Sequence, residues 1–285
     1  MAEKEKLIMA NNAVSAKAVS SKAMEMNREF ALIDSRDGST VTTFIPAADK
    51  NKEQHEKDMK ALVRQMADKF DQPMTPSKVK DGKLFPGQSR VVLDEEALLN
   101  QLLNLSAFNQ EIPLPITETA PNITQEALNG AKQTVIGSYK TAFNPSVAGR
   151  STNIAISSNA INEIVLGPGD RFYFNLIVGE RTPARGYQKA LEIVNKEFVE
   201  GIGGGICQTS STLYNAVAKA GLEIIELHHH SKTVGYVPIN QDATVSWGGY
   251  DFKFMNNKDY PVIIKSITDQ KSGTLEVQII AASKI

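Results

Sequence analysis

GIGGGICQTSSTLYNAVAKAGLEIIELHHHS, residues Gly201–Ser231, holds the only cysteine of the chain and three of its four histidines. From about Cys207 to Ala220 the pattern is helical, with Leu213, Tyr214 and Val217 on one side. Lys219 falls in the last turn, where a cation suits the negative end of the helix, and Gly221 is placed to cap it. Ahead of the cysteine, Gly203, Gly204 and Gly205 let the backbone turn sharply and approach a ligand closely. The segment LEIIELHHHS then reads as a strand. On a strand His228 and His230 share one face and His229 takes the other.

This order of elements points to thiol chemistry. A cysteine at a helix N-terminus faces unpaired N–H groups and the positive end of the macrodipole, which favours the thiolate, the attacking form. Backbone amides at Gly203, Gly204, Gly205 and Cys207 can hold a developing oxyanion, with Gln208 as a further donor. Ser210, with Ser211 and Thr212, reads as a cap or pocket wall. His230 or His228 would serve as base, and an aspartate would orient it. Asp242, at the start of DATVSW, is preferred over Asp251 for that place. A second arrangement, Cys207 with His228 and His230 around zinc, stays open; no other cofactor is expected. Phosphate binding by GIGGGI is not supported, because the P-loop lysine and hydroxyl and the last glycine of GxGxxG are missing.

The rest of the chain gives a frame. It has 285 residues, 41% hydrophobic and 22% charged, with a net charge of −1, which marks no nucleic-acid footprint and no basic membrane-binding block. No apolar run reaches the ~18 residues of a membrane span. Residues 1–28 read as a tail or frayed helix without a secretory-signal pattern, which points to the cytoplasm unless an export segment has been removed. FALIDSRDGSTVTTFIP predicts a hairpin turning at Asp37-Gly38. Met59, Leu62, Val63, Met66 and Phe70 form a helical stripe. QPMTPSKVKDGKLFPGQSR reads as turn and loop with a short strand. Asp94 caps a helix with Leu98, Leu99, Leu102 and Leu103 inside, EIPLPIT is an edge strand, and Thr124 caps a short helix. In the second half, TAFNPSVAGRSTNIAIS and VLGPGDRFYFNLIVGERT read as strands broken by turns, so the Cys207 helix is the single helix expected there. PVIIKSI and GTLEVQIIAA are further strands.

The motifs FNPS, LGPGDRFYFNLIVGERTPARGY, GIGGGICQTSSTLYNA, AGLEIIELHHHS, YVP and QDATVSWGGYDFKFMNN resemble the VanW family in composition and order. That family is named for an accessory protein of glycopeptide-resistance clusters in Gram-positive bacteria. Where its members more often read Arg-His-Pro-His-Ser, this chain has Leu227-His228-His229-His230-Ser231, and its GPGDRFYFN stands where NPGETFSFN is common. The segment ALVRQMADKFDQPMTPSKVKDGKLFPGQSRVVLDEEALLNQLL resembles the peptidoglycan-binding domain that precedes VanW domains and many L,D-transpeptidase domains. The resemblance implies a secreted or wall-associated protein whose partner is peptidoglycan or its stem peptides. GGICQTSSTLYNAVAKAGLEII also resembles the cysteine-led helix of transglutaminase-like and papain-like enzymes. Carried over by position, this makes Cys207 the nucleophile, His230 the base, Asp242 the orienter and His228 a substitute base. Arg181 and Arg185 in GERTPARGY are candidates for a substrate carboxylate.

Together these readings predict an α+β protein. A smaller domain over 29–125 precedes a VanW-like domain over 135–285, in which mostly antiparallel strands surround the Cys207 helix. The function expected is a thiol hydrolase or transpeptidase of the cell envelope. A non-catalytic wall-binding protein and a zinc site are the alternatives.

Overall fold

A computed structural model describes residues 28–46, 51–106, 108–194 and 197–283. The tail expected over 1–28 lies almost wholly outside the described residues. The chain divides into two compact units, one running to Pro73 and including Arg90–Thr119, the other formed by Met74–Ser89 with Ala120–Ile285. Both mix helices with mainly antiparallel sheet, so the fold is α+β, as the sequence predicts.

In the first unit β1 (Phe30–Ile33) and β2 (Thr40–Phe44) form the expected hairpin. Helix α1 (Lys52–Phe70) starts at Asn51, whose side chain accepts from the Gln54 N–H, and it buries Met59, Val63 and Met66. Helix α2 (Glu95–Leu103) is capped by Asp94, which accepts from the Ala97 N–H. Leu98 and Leu102 are its buried pair, whereas Leu103, expected inside, is exposed. These side chains close one core with Leu32, Leu93 and Leu114. The single extended segment read in EIPLPIT is two strands in different sheets. β6 (Glu111–Pro113) pairs in parallel with β1 at a sheet edge, and β7 (Ile116–Thr119) pairs with β5 (Arg90–Leu93).

The second unit is built on a six-stranded antiparallel sheet. Its order is β4 (Lys83–Phe85), β3 (Ser77–Lys80), β9 (Ile164–Leu166), β15 (Val262–Asp269), β16 (Thr274–Ser283) and β8 (Lys132–Ala142). The segment read mainly as loop thus supplies a β3–β4 hairpin, because Asp81 and Gly82, both at positive φ, make a tight turn. A three-stranded sheet, β10 (Arg171–Tyr173), β14 (Lys253–Met255) and β13 (Glu223–Glu226), and a separate β11 (Lys189–Val194)–β12 (Glu197–Ile202) ribbon complete it. A short helix, α3 (Gln125–Leu128), is capped by Thr124 as predicted.

Helix α6 (Ile206–Lys219) is the predicted cysteine helix, with Gly221 at φ +64° just past its end. Its Leu213, Ala216 and Val217 pack in one core with Ile264, Val277 and Ile279 of the large sheet and Phe172, Phe252 and Phe254 on the other side. Being covered nearly all round, it buries its polar residues too, and each finds a partner. Thr212 Oγ1 lies 2.9 Å from Thr141 Oγ1, and Thr209 Oγ1 lies 2.7 Å from Ser157 Oγ.

The expectation of one helix in this half is wrong. Ala148–Ile161, read as strand and turn, is a 14-residue helix, α4, and Phe174–Val178 is a short helix, α5. The physical reason is that α4 hides its polar groups. Ser151, Asn153, Ser157 and Ser158 are buried and hydrogen-bonded, so no apolar stripe separates inside from outside. The strand expected through the histidines is also shorter than predicted: β13 stops at Glu226, and residues 227–230 are irregular.

Candidate functional site

Cys207 is the second residue of α6, and its backbone N–H takes no partner among the described residues. The glycines ahead of it hold the turn. Gly203 and Gly205 sit at φ +101° and +112°, a region that L side chains rarely adopt. A Cβ at Gly203 would lie 3.0 Å from Arg181 Cγ, and one at Gly205 would lie 3.0 Å from Arg150 Cγ. The bare glycines therefore make room for two arginine stems beside the thiol.

The neutral Cys207 thiol donates to Val245 O at 3.5 Å and lies 3.8 Å from Thr244 Oγ1. Its electrostatic partner is His230. Burial pushes the thiol up, but the hydrogen bond and charge of His230 outweigh it and leave the thiol below its ordinary value. For His230, burial works against the cation, and Cys207 and then Asp242 raise it above the usual histidine range. Asp242 is raised by burial, but the His230 backbone N–H and ring outweigh this and hold it low.

The geometry behind these shifts is tight. Asp242 Oδ2 accepts from the His230 backbone N–H at 2.7 Å and meets His230 Nδ1 at 2.6 Å. With Nδ1 taken, Nε2 is the ring nitrogen left for the sulfur. The side chains of His230 and Asp242 are only 7% and 9% exposed, so solvent screens the pair weakly. Tyr236 stands edge-on to His230 with ring centroids 6.5 Å apart. Burial, then the Cys207 charge, drives its phenol well above the ordinary range, so it stays protonated.

These groups open onto a cleft of about 1190 Å³, lined among others by Gly203–Gly205, Cys207, His230, Arg150, Arg181 and Tyr236. Trp247 and Tyr250, 51% and 57% exposed, stand at it as well.

The other residues singled out in the sequence fall less evenly. His228 is not beside the thiol: its Nε2 lies 2.9 Å from Glu226 Oε1, and its ring lies 4.4 Å from that of Tyr250. The alternation read from a strand fails because the strand has already ended, and His229, not His228, shares Asp242 with His230. The zinc arrangement of Cys207, His228 and His230 is therefore not assembled, and no group of three metal-binding side chains occurs among the described residues. Gln208 lines the cleft but cannot donate to an oxyanion. Both hydrogens of its Nε2 are used, on Thr141 Oγ1 and Ala142 O, each at 3.0 Å.

Ser210 is fully buried and points inward, onto Ala243 O at 2.6 Å. Arg181 reaches the cleft, with its guanidinium on Gly179 O and Asn175 Oδ1. Arg185 does not; it donates to Glu180 O and lies over the Tyr187 ring. Asp251 accepts from the backbone N–H groups of Asn175 and Phe252, away from the thiol. Sequence reasoning missed Arg150 and Tyr236. Tyr236 lies in the YVP motif already noted, but Arg150 gave no signal once its helix was read as strand.

What fold and site define together is an α+β protein in which Cys207, His230 and Asp242 cluster at the start of a helix, beside a cleft. The family described as VanW like protein matches residues 149–280, which contain all three of those residues. The chain is 35% identical over 244 residues to Uncharacterized protein YoaR of Bacillus subtilis (strain 168), covering 85% of this chain and 79% of the relative. It is 28% identical over 112 residues to Vancomycin B-type resistance protein VanW of Enterococcus faecalis (strain ATCC 700802 / V583), covering 38% of this chain and 41% of that protein. The chain belongs to the VanW family. No solved structure matches it.

Proposed function

We propose that the protein is a thiol acyl-transfer enzyme of the cell envelope, a hydrolase or transpeptidase acting on peptide bonds of peptidoglycan stem peptides. The observation that carries this reading is the Cys207–His230–Asp242 relay facing an open cleft. Cys207 attacks the carbonyl carbon as thiolate, and the oxyanion forms against the free Cys207 N–H and the glycine turn. His230 gives its Nε2 proton to the leaving amine, and a thioester remains. The same ring then takes a proton from water or an acceptor amine, which attacks the thioester and restores the thiol. Asp242 fixes the tautomer and orientation of His230 throughout.

The substrate class is supported by the family, one of whose members is named for vancomycin resistance, and by the resemblance of the N-terminal segment to wall-binding domains. In this reading the 29–125 segment binds glycan or stem peptide, and the protein works outside the membrane. No helix among the described residues is long and apolar enough to cross one. The exposed Trp247 and Tyr250 favour a second reading, a wall-binding protein whose cleft only holds a muropeptide. Incubation with defined muropeptides, wild type beside Cys207→Ala, separates the two by mass spectrometry. Loss of a residue, a new cross-link or an acyl adduct in wild type alone supports catalysis. Binding to sacculi without any mass change in either protein refutes it.

A further inference from the structure

The cleft brings two guanidinium groups to the thiol, and neither forms an ion pair with a carboxylate within 4.0 Å among the described residues, although the charge of Asp251 favours the Arg181 cation. Arg150, from α4, gives Nη2–H to Gln208 Oε1 at 2.7 Å, and its stem packs on Gly205. Arg181 is held on backbone and amide oxygens, its stem packs on Gly203, and its Cζ lies 5.9 Å from the Trp247 ring centroid. Both line the cleft beside Cys207; burial works against each cation and the charge of Cys207 favours it. Both stems occupy space that the glycines leave open, so the turn before Cys207 is shaped around them.

The two arginines have different neighbours in the cleft. Arg150 Cζ is 5.9 Å from the Tyr236 ring centroid, and that ring stands against His230. Arg181 lies toward Gly203 and Trp247. In any thiol acyl transfer the imidazole protonates the departing amine, so the leaving group occupies the His230 side. Resting on the thiol-enzyme reading above, we propose that Arg150 receives the carboxylate of the leaving group. The cleft then takes peptides whose scissile bond precedes a C-terminal residue with a free α-carboxylate. Attack by Cys207 breaks that last amide bond and releases one amino acid, its amine protonated by His230, and water or an acceptor amine completes the turnover. Arg150 is the specificity residue for this leaving group.

Two alkylating agents of nearly the same shape test this without knowledge of the substrate. Iodoacetate carries a carboxylate and iodoacetamide does not, and both transfer a carbon to the sulfur with loss of iodide. The ratio of their rates on Cys207 is compared with the ratio on N-acetylcysteine at the same pH and salt. A charge-assisted contact predicts a ratio shifted toward iodoacetate by about tenfold in wild type. The shift is lost in Arg150→Gln and kept in Arg181→Gln. Arg150→Lys, which keeps the charge, retains part of it, and thermal melts confirm that the variants fold. A wild-type ratio equal to that of N-acetylcysteine overturns the inference, as does a preference that disappears only in Arg181→Gln. Slow alkylation by both reagents overturns the thiol-enzyme reading itself, a result distinct from a fast thiol that ignores charge.

Discussion

Replacing His230 by glutamine removes the positive partner of the thiol and leaves its burial in place. Of the influences on Cys207, burial opposes the thiolate, as does the Val245 carbonyl, which can only accept, and His230 supplies the largest effect in its favour. Without it the thiol moves above the ordinary value of 9.0 from which it had been lowered. At pH 6.5 a thiol with that ordinary value is ionised to about 0.3%, and each unit by which a pKa is lowered raises that fraction about tenfold. Nucleophilicity falls as the thiol becomes more acidic, with a slope of about 0.4–0.5, so roughly half of the gain survives on a logarithmic scale. The expected gain in iodoacetamide rate at pH 6.5 is therefore about threefold for each unit that separates wild type from the variant. The assay is a pH–rate profile from pH 5 to 10 for wild type and His230→Gln. Because the pKa is depressed, the wild-type rate reaches its plateau at a pH where an ordinary thiol is still protonated, and falls only as pH drops through the lowered value. The variant must rise at a pH above the ordinary one. Superimposable profiles would refute the reasoning.

Other substitutions probe the parts around the relay. Gly205→Ala puts a Cβ 3.0 Å from Arg150 Cγ on a backbone at φ +112°, so it should cost about 1–3 kcal/mol in denaturant melts. Leu213→Ala empties a fully buried position between the two sheets, and a loss of about 3–5 kcal/mol is expected by urea unfolding. His228→Ala should leave the pH–rate profile of Cys207 unchanged, since its ring is engaged by Glu226 and Tyr250. A shifted profile would put His228 back in the site.

What could be read from the sequence was whatever separates apolar from polar. The α1 stripe at Met59, Val63 and Met66 and the Asp94 cap are local patterns, and both form as predicted. The Cys207 helix was found from its ends, a glycine run before it and Gly221 after it. Helix α4 was not legible because Ser157 and Ser158 look like surface residues until Thr209 and Ser266 are brought against them by the fold. Arg150 was lost with it. The grouping of Cys207, His230 and Asp242 was legible, since the chain places its one cysteine and three of its four histidines in one region. The choice between His228 and His230 was not, because it turned on where β13 ends. That depends on pairing with β14, which shifts register between Ile224 and Glu226.

On the proposed reading, the helix carrying the sulfur and the segment carrying the aspartate must keep one spacing, and Ser211, together with Ser210 and Asn215, ties them. The Ser211 hydroxyl donates to Cys207 O at 2.7 Å and accepts from the Ala243 N–H, next to Asp242, at 2.9 Å. Apolar packing alone would let α6 slide by a fraction of an ångström at little cost, whereas these bonds fix it to the Asp242 segment. Ser211→Ala leaves a buried N–H without its acceptor, which costs about 1–3 kcal/mol. For a unit of this size that lowers Tm by roughly 2–4 °C for each kcal/mol. If the tie also sets the relay, the iodoacetamide profile of Ser211→Ala moves toward alkaline pH, because a loosened Asp242 orients His230 less well against the sulfur. A lower Tm with an unmoved profile would show that the hydroxyl serves stability alone, and that the Asp242 segment holds its place by other contacts.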